Sequence, residues 1–140
     1  MEIVAAVSGD HTADRVVTVA DDLARAFDEE LVVLHVLPRD RFERRKKERP
    51  DYYADVAAQD AANVADDVVD ATLDDASNVT VKGLIGEPAA EVLEWARERD
   101  TRFIVVGGRR RTPAGKALFG STTQSILLGA ETPVVTVMHE

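Results

Sequence analysis

The chain contains no cysteine, which removes both a disulfide framework and a thiolate metal site. No apolar run approaches the roughly 18 residues that a membrane span needs, and the opening MEIVAAVSGD carries no basic stretch of the kind that starts a secretory leader. The expectation is therefore a soluble, cytoplasmic protein. The histidines are three, His11, His35 and His139. They fall in different segments without metal-ligand spacing, so zinc chemistry is not indicated and no metal residues are assigned. His35 reads as a packed residue near a strand end, and His139 as part of a frayed terminus. There is no nucleophile elbow, and no carboxylate pair stands out above the acidic background. Nothing in the pattern demands catalysis. Lysine is also scarce, with 4 lysines against 13 arginines.

What is abundant is acid. The 15 aspartates and 11 glutamates leave a net charge of −9, spread along the chain rather than gathered in a tail. Phosphate backbones are held by positive surface, so general nucleic-acid binding is disfavoured. Short acidic side chains in place of lysine keep a surface hydrated at high ionic strength, which suits a salt-rich cytoplasm as well as an ordinary acidic protein. The length of 140 residues points to one domain over residues 1–140, large enough to bury roughly 68–70% of its unfolded surface.

Strand and helix patterns alternate. Glu2 to Val7 is an apolar run closed by Ser8-Gly9-Asp10, a buried strand and its turn. Asp10 or Thr12 is placed to cap a helix carrying Val16, Ala20, Leu23, Ala24 and Phe27 at helical spacing. Leu31 to Leu37 is a second strand, ended by Pro38; RDRFERRKKERP then loses all periodicity and reads as a charged loop. A helix is expected from Tyr53 to Asp75, a strand from Val79 to Ile85, a helix from Pro88 to Arg99 and a strand from Phe103 to Val106. Ser121 and Gln124 form a capping-box pattern, Gly129 stands where a helix stop belongs, and Pro133 to Met138 is the last strand. Five strands alternating with four helices predict an α/β fold, a five-stranded parallel doubly wound sheet with helices on both faces. Ligands of such sheets bind beyond the carboxyl ends of the strands, where Ser8-Gly9, Leu37-Pro38 and Gly107-Gly108 fall.

The segment VVGGRRRTPAGKALFGSTTQSIL, from Val105 to Leu127, carries the densest signal. A strand ends in two glycines, a basic loop follows, and Gly120-Ser121 opens a helix. Glycine permits close backbone approach, and the first amides of a helix lack intrahelical partners, so an anion gains about 0.3–1 kcal/mol there. Ser121 capping its own helix beside an ordinary glycine turn accounts for the same residues. Arg109, Arg110, Arg111 and Lys116 reverse the local sign of an acidic chain and suit a polyphosphate, although such runs are often simply solvated. A Walker A loop is excluded: six residues, not four, separate Gly108 from Gly115-Lys116, and Ala117 replaces the required hydroxyl. The first turn lacks the glycine triplet of a dinucleotide fingerprint, and its Ser8-Gly9-Asp10 is only a fragment of the SGG loop of ATP pyrophosphatases. The basic run Arg39 to Arg49 reads as a solvated loop, a lid over the strand ends or a partner surface.

The Ser8-Gly9 turn, the His35-Val36 strand end, the Gly86-x-Pro88 helix start and the ending VVGG…GSTTQSIL…PVVTV together resemble the universal stress proteins over essentially the whole chain. Nucleotide-binding members carry glycine, two residues, glycine, nine residues, then glycine with serine or threonine; Gly107 and Gly120-Ser121 match its outer parts. The resemblance implies a Rossmann-like fold similar to adenine nucleotide alpha hydrolases. It further implies a homodimer joined through Pro133 to Met138, and an adenine nucleotide, ATP or AMP, with Mg²⁺ as an accompanying ion. Adenine would pack near Val36 and Val106, while ribose and phosphates would meet Gly107, Gly120, Ser121, Thr122 and Thr123. Two positions depart from the pattern. Arg110 stands at the middle glycine, where a left-handed backbone would cost roughly 1–2 kcal/mol, or where its guanidinium would turn to the phosphates. Ser8 stands in place of the aspartate that ends the first strand. The implied role is stress response or signalling through conformation, with any hydrolysis slow and incidental. The alternatives are a dimerisation module with a degenerate phosphate loop and, more distantly, an ATP pyrophosphatase-type enzyme.

Overall fold

The computed structural model describes residues 1–9, 13–110 and 117–139, without the side chains of residues 109, 110, 117 and 118. The proposed cap residues Asp10 and Thr12, and Arg111 and Lys116 of the basic loop, lie outside the described residues.

Strands β1 (Glu2–Ala6), β2 (Glu30–Pro38), β3 (Val79–Gly86), β4 (Thr101–Arg110) and β6 (Val134–His139) form a parallel sheet in the order β3-β2-β1-β4-β6, while a two-residue β5 (Ala117–Leu118) pairs antiparallel with Arg109 and Arg110 at the end of β4. The predicted five-stranded doubly wound sheet is thus present, and its order reverses between β1 and β4. Alternate residues of each strand feed opposite faces. Ile3, Ala5, Val33 and Val105 pack beneath α1 (Ala13–Phe27) and α3 (Ala54–Thr72), whereas Val4, Val32, Ile104 and Val106 pack against α4 (Pro88–Glu98) and α5 (Ser121–Gly129). These buried strands read as continuous apolar runs because both faces are covered.

Four local expectations are corrected. Arg39–Glu48 is a helix, α2, not a loop, although none of its residues is buried. Arginine, lysine and glutamate are strong helix formers, Asp40 lies in the first turn, and Arg45, Lys46 and Lys47 complement the negative end of the macrodipole. Phe42 anchors it, its ring centroid 5.9 Å from that of the buried Tyr52. Next, β4 continues through Gly107 and Gly108 to Arg110, so these glycines lie in a strand rather than a turn. Ser121 and Gln124 form no capping box: the N-cap is Gly120, and no described side chain caps the helix. Finally, Gly129 is not a left-handed stop. It is the last helical residue, and a Cβ there would stand 2.8 Å from Leu93 Cδ1, so it sets the close packing of α5 on α4. The described glycine that does need its conformational freedom is Gly86, with φ +154° at the turn into α4.

Candidate functional site

A cleft of about 500 Å³ opens at the carboxyl ends of the strands, where β1 and β4 diverge. One side is apolar, formed by the buried Val36, Val106, Val92 and Ile126; Ala13 and Val16 of α1 form the other. The floor is the backbone of Gly107 and Gly108. A Cβ on Gly108 would meet Met138 Sδ at 2.7 Å, and one on Gly107 would meet Val16 Cγ2 at 3.3 Å. Neither glycine has a positive φ. Their contribution is the missing side chain, not an unusual backbone.

Helix α5 begins at the rim. Gly120, with φ −62° and ψ 163°, offers no side chain, and the helical bonding starts only with Gln124 N–H donating to Gly120 O at 3.0 Å. The amides of Ser121, Thr122 and Thr123 therefore have no carbonyl one turn back. Thr123 Oγ1 donates to Gly107 O at 2.9 Å, tying the helix start to the floor. Of the residues expected at a nucleotide, Ser8, Val36, Val106, Gly107, Gly120, Thr122 and Thr123 line the cleft, while Ser121 is exposed and does not. Arg110 runs in the β4–β5 ladder opposite Ala117, so it uses extended backbone instead of the left-handed conformation considered for it; its side chain lies outside the described residues.

Three polar liners were not assigned from the sequence. Arg41 of α2, within the basic run, reaches the cleft. His35 Nδ1 lies 2.8 Å from Val7 O; hydrogen bonding to a carbonyl requires the proton on Nδ1, which leaves Nε2 of the neutral ring as an acceptor. His139 is not a frayed end. It closes β6 opposite Arg109, and its ring lines the cleft. The signal available in sequence was that no helix or turn former separates His139 from the strand run PVVTVM.

In a chain with 26 acidic residues, no aspartate or glutamate lines this cleft among the described residues. The donor set is amides, hydroxyls, imidazoles and a guanidinium. It fits an oxyanion. A magnesium ion finds no carboxylate among these described liners and would be held by the phosphates and water of a bound nucleotide.

The model described as "Universal stress protein family" matches residues 1–138. Among solved structures, a universal stress protein from Archaeoglobus fulgidus is 29% identical with a TM-score of 0.68, covering 97% of each chain. A structure of the universal stress protein from the same organism in complex with dAMP is 25% identical, TM-score 0.63, covering 97% of this chain and 96% of that one. Universal stress protein UspA from Lactobacillus plantarum, 22% identical over 98% and 97% of the two chains with a TM-score of 0.70, shares the fold. A comparison with curated protein sequences found no match. No helix among the described residues is long and apolar enough to cross a membrane. With its sheet order, its cleft and a family model matching residues 1–138, the chain belongs to the universal stress protein family.

Proposed function

We propose that this protein binds an adenine nucleotide in the β1/β4 cleft and acts in the cytoplasm as a stress-response or signalling component, without catalysis as its purpose. The observation that carries this reading is a cleft without a carboxylate among its described liners, ending at the start of α5, where no described side chain caps the helix. Adenine would lie between Val36 and Val106; ribose and phosphates would extend over Gly107 toward Gly120, Thr122 and Thr123, with Ser8 at the sugar. The solved relative in complex with dAMP supports the choice of an adenine nucleotide. ATP with Mg²⁺ is the ligand to test first.

The same reading includes a homodimer through β6. That strand pairs on one side with β4, and Leu128 in the helix just before it is 81% exposed. Calorimetry with ATP and Mg²⁺ is expected to give a saturable heat, and Gly120→Arg, whose side chain would enter open space at the rim, to abolish it. Absence of saturation at millimolar ATP rejects the proposal. One observation favours a second reading, a dimerisation module without nucleotide: Arg109 and Arg110 are engaged in a hairpin with Leu118 and Ala117, so the segment has a structural use of its own. That reading requires the protein to stay ligand-free in the same titration.

A further inference from the structure

Both ring nitrogens of His139 are buried and have no hydrogen-bond partner among the described residues. Burying a polar nitrogen without a partner is unfavourable, and such an atom in a folded protein calls for an explanation. The ring stands in the cleft wall, not in the core. Its Cε1 lies 4.0 Å from the position a Cβ on Gly107 would occupy, so the glycine leaves room for it. The strand that carries it is held from outside the sheet as well, by Arg15 Nη1 donating to Met138 O at 2.7 Å.

Gly107 is the point where two elements meet. From one side the first turn of α5 reaches it through Thr123 Oγ1; beside it stands the His139 ring. Val106, the apolar contact for a base, precedes this point along β4, so His139 is beside the end of the cleft assigned to phosphate. An imidazole keeps at least one N–H in either charge state, and the tautomer with that N–H toward an oxyanion makes it a donor. We propose that His139 is a ligand-binding residue whose ring turns into the cleft and donates to a phosphoryl oxygen of the bound nucleotide. This rests on the nucleotide reading above and assigns a residue to it.

The test titrates wild type, His139→Ala and His139→Phe with adenosine, AMP and ATP by calorimetry, with melting curves to confirm folding. Phenylalanine keeps the ring volume and removes both nitrogens. Both variants are expected to weaken AMP and ATP roughly 10- to 100-fold, as for loss of a hydrogen bond to a charged group, with adenosine changed less than about twofold. Equal ATP affinity in wild type and His139→Phe overturns the assignment and leaves the nucleotide reading standing. An equal loss for adenosine and ATP overturns it too, because the ring would then serve the nucleoside or the fold. Failure of wild type to bind any of the three overturns the nucleotide reading and this inference with it.

Discussion

Helices α4 and α5 pack against each other on one face of the sheet, yet they begin in opposite ways. At the start of α4, Glu87 turns its carboxylate onto the helix, accepting from Ala89 N at 3.3 Å and Ala90 N at 2.7 Å, with Pro88 in the first turn. The chain supplies its own anion there. At the start of α5 the equivalent position is Gly120, with no side-chain cap and nothing within 4 Å of where a Cβ would sit among the described residues. The positive end of that helix is left for something from outside. One terminus is closed by its own carboxylate and the other opens beside a cleft, and on that difference the proposed binding role of the α5 start rests.

Removing this difference should have the largest effect. Gly120→Asp gives α5 a carboxylate cap like that of α4. ATP affinity should fall by on the order of 100-fold or more, since a fixed carboxylate faces the phosphates, while the melting temperature stays level or rises slightly. A variant that still binds ATP like wild type would show that the α5 start is not the phosphate site. The reciprocal change, Glu87→Ala, uncaps α4 and should cost about 1 kcal/mol of stability in urea unfolding, with ATP affinity unchanged. Loss of ATP binding without loss of stability would reverse the assignment of the two helix starts.

The smallest effect concerns charge at the opposite pole of the sheet. Glu29 is only 11% exposed there and accepts from Arg102 Nε at 3.2 Å and Nη2 at 3.1 Å. Desolvation pushes its carboxyl upward, but Arg102 and the Met1 ammonium together outweigh this and hold it below the ordinary carboxylate range. A carboxylate depressed on folding stabilises the protein above its unfolded pKa, and that contribution disappears as pH falls through the folded value. Wild type should therefore melt above Glu29→Gln at neutral pH, and the gap should begin to narrow below roughly pH 4. ATP binding at neutral pH should be the same in both. A gap that does not narrow at all as the pH is lowered from neutral toward roughly 3 would show that Glu29 acts through packing rather than ionisation.

Much of this architecture is legible in the chain because the relevant forces are local. Ile3 to Val7, Leu31 to Leu37 and Phe103 to Val106 announce buried parallel strands by apolar runs broken only at His35. Helix α2 was missed since its stability comes from backbone propensity and the Phe42 anchor, not from an apolar stripe. Ser121 illustrates a different limit. A serine followed three residues later by glutamine looks like a cap, but the chain enters the helix one residue earlier, at Gly120. Composition is ambiguous there to within one position, and one position decides whether a hydroxyl blocks the amides or stands beside them.

The amino-acid order alone determined the alternation of strands and helices, the two covered faces of the sheet and the end at which a ligand belongs, because periods of two and of about 3.6 residues are written along the chain. Only the folded structure decided which polar groups are already engaged and which are left unpartnered. His35 meets Val7, Arg15 meets Met138, and Thr123 meets Gly107, across separations of 28, 123 and 16 residues. Whether His139 has a partner depends on packing of that kind, since a hydrogen bond requires two atoms to meet and proximity in space is not encoded at either one.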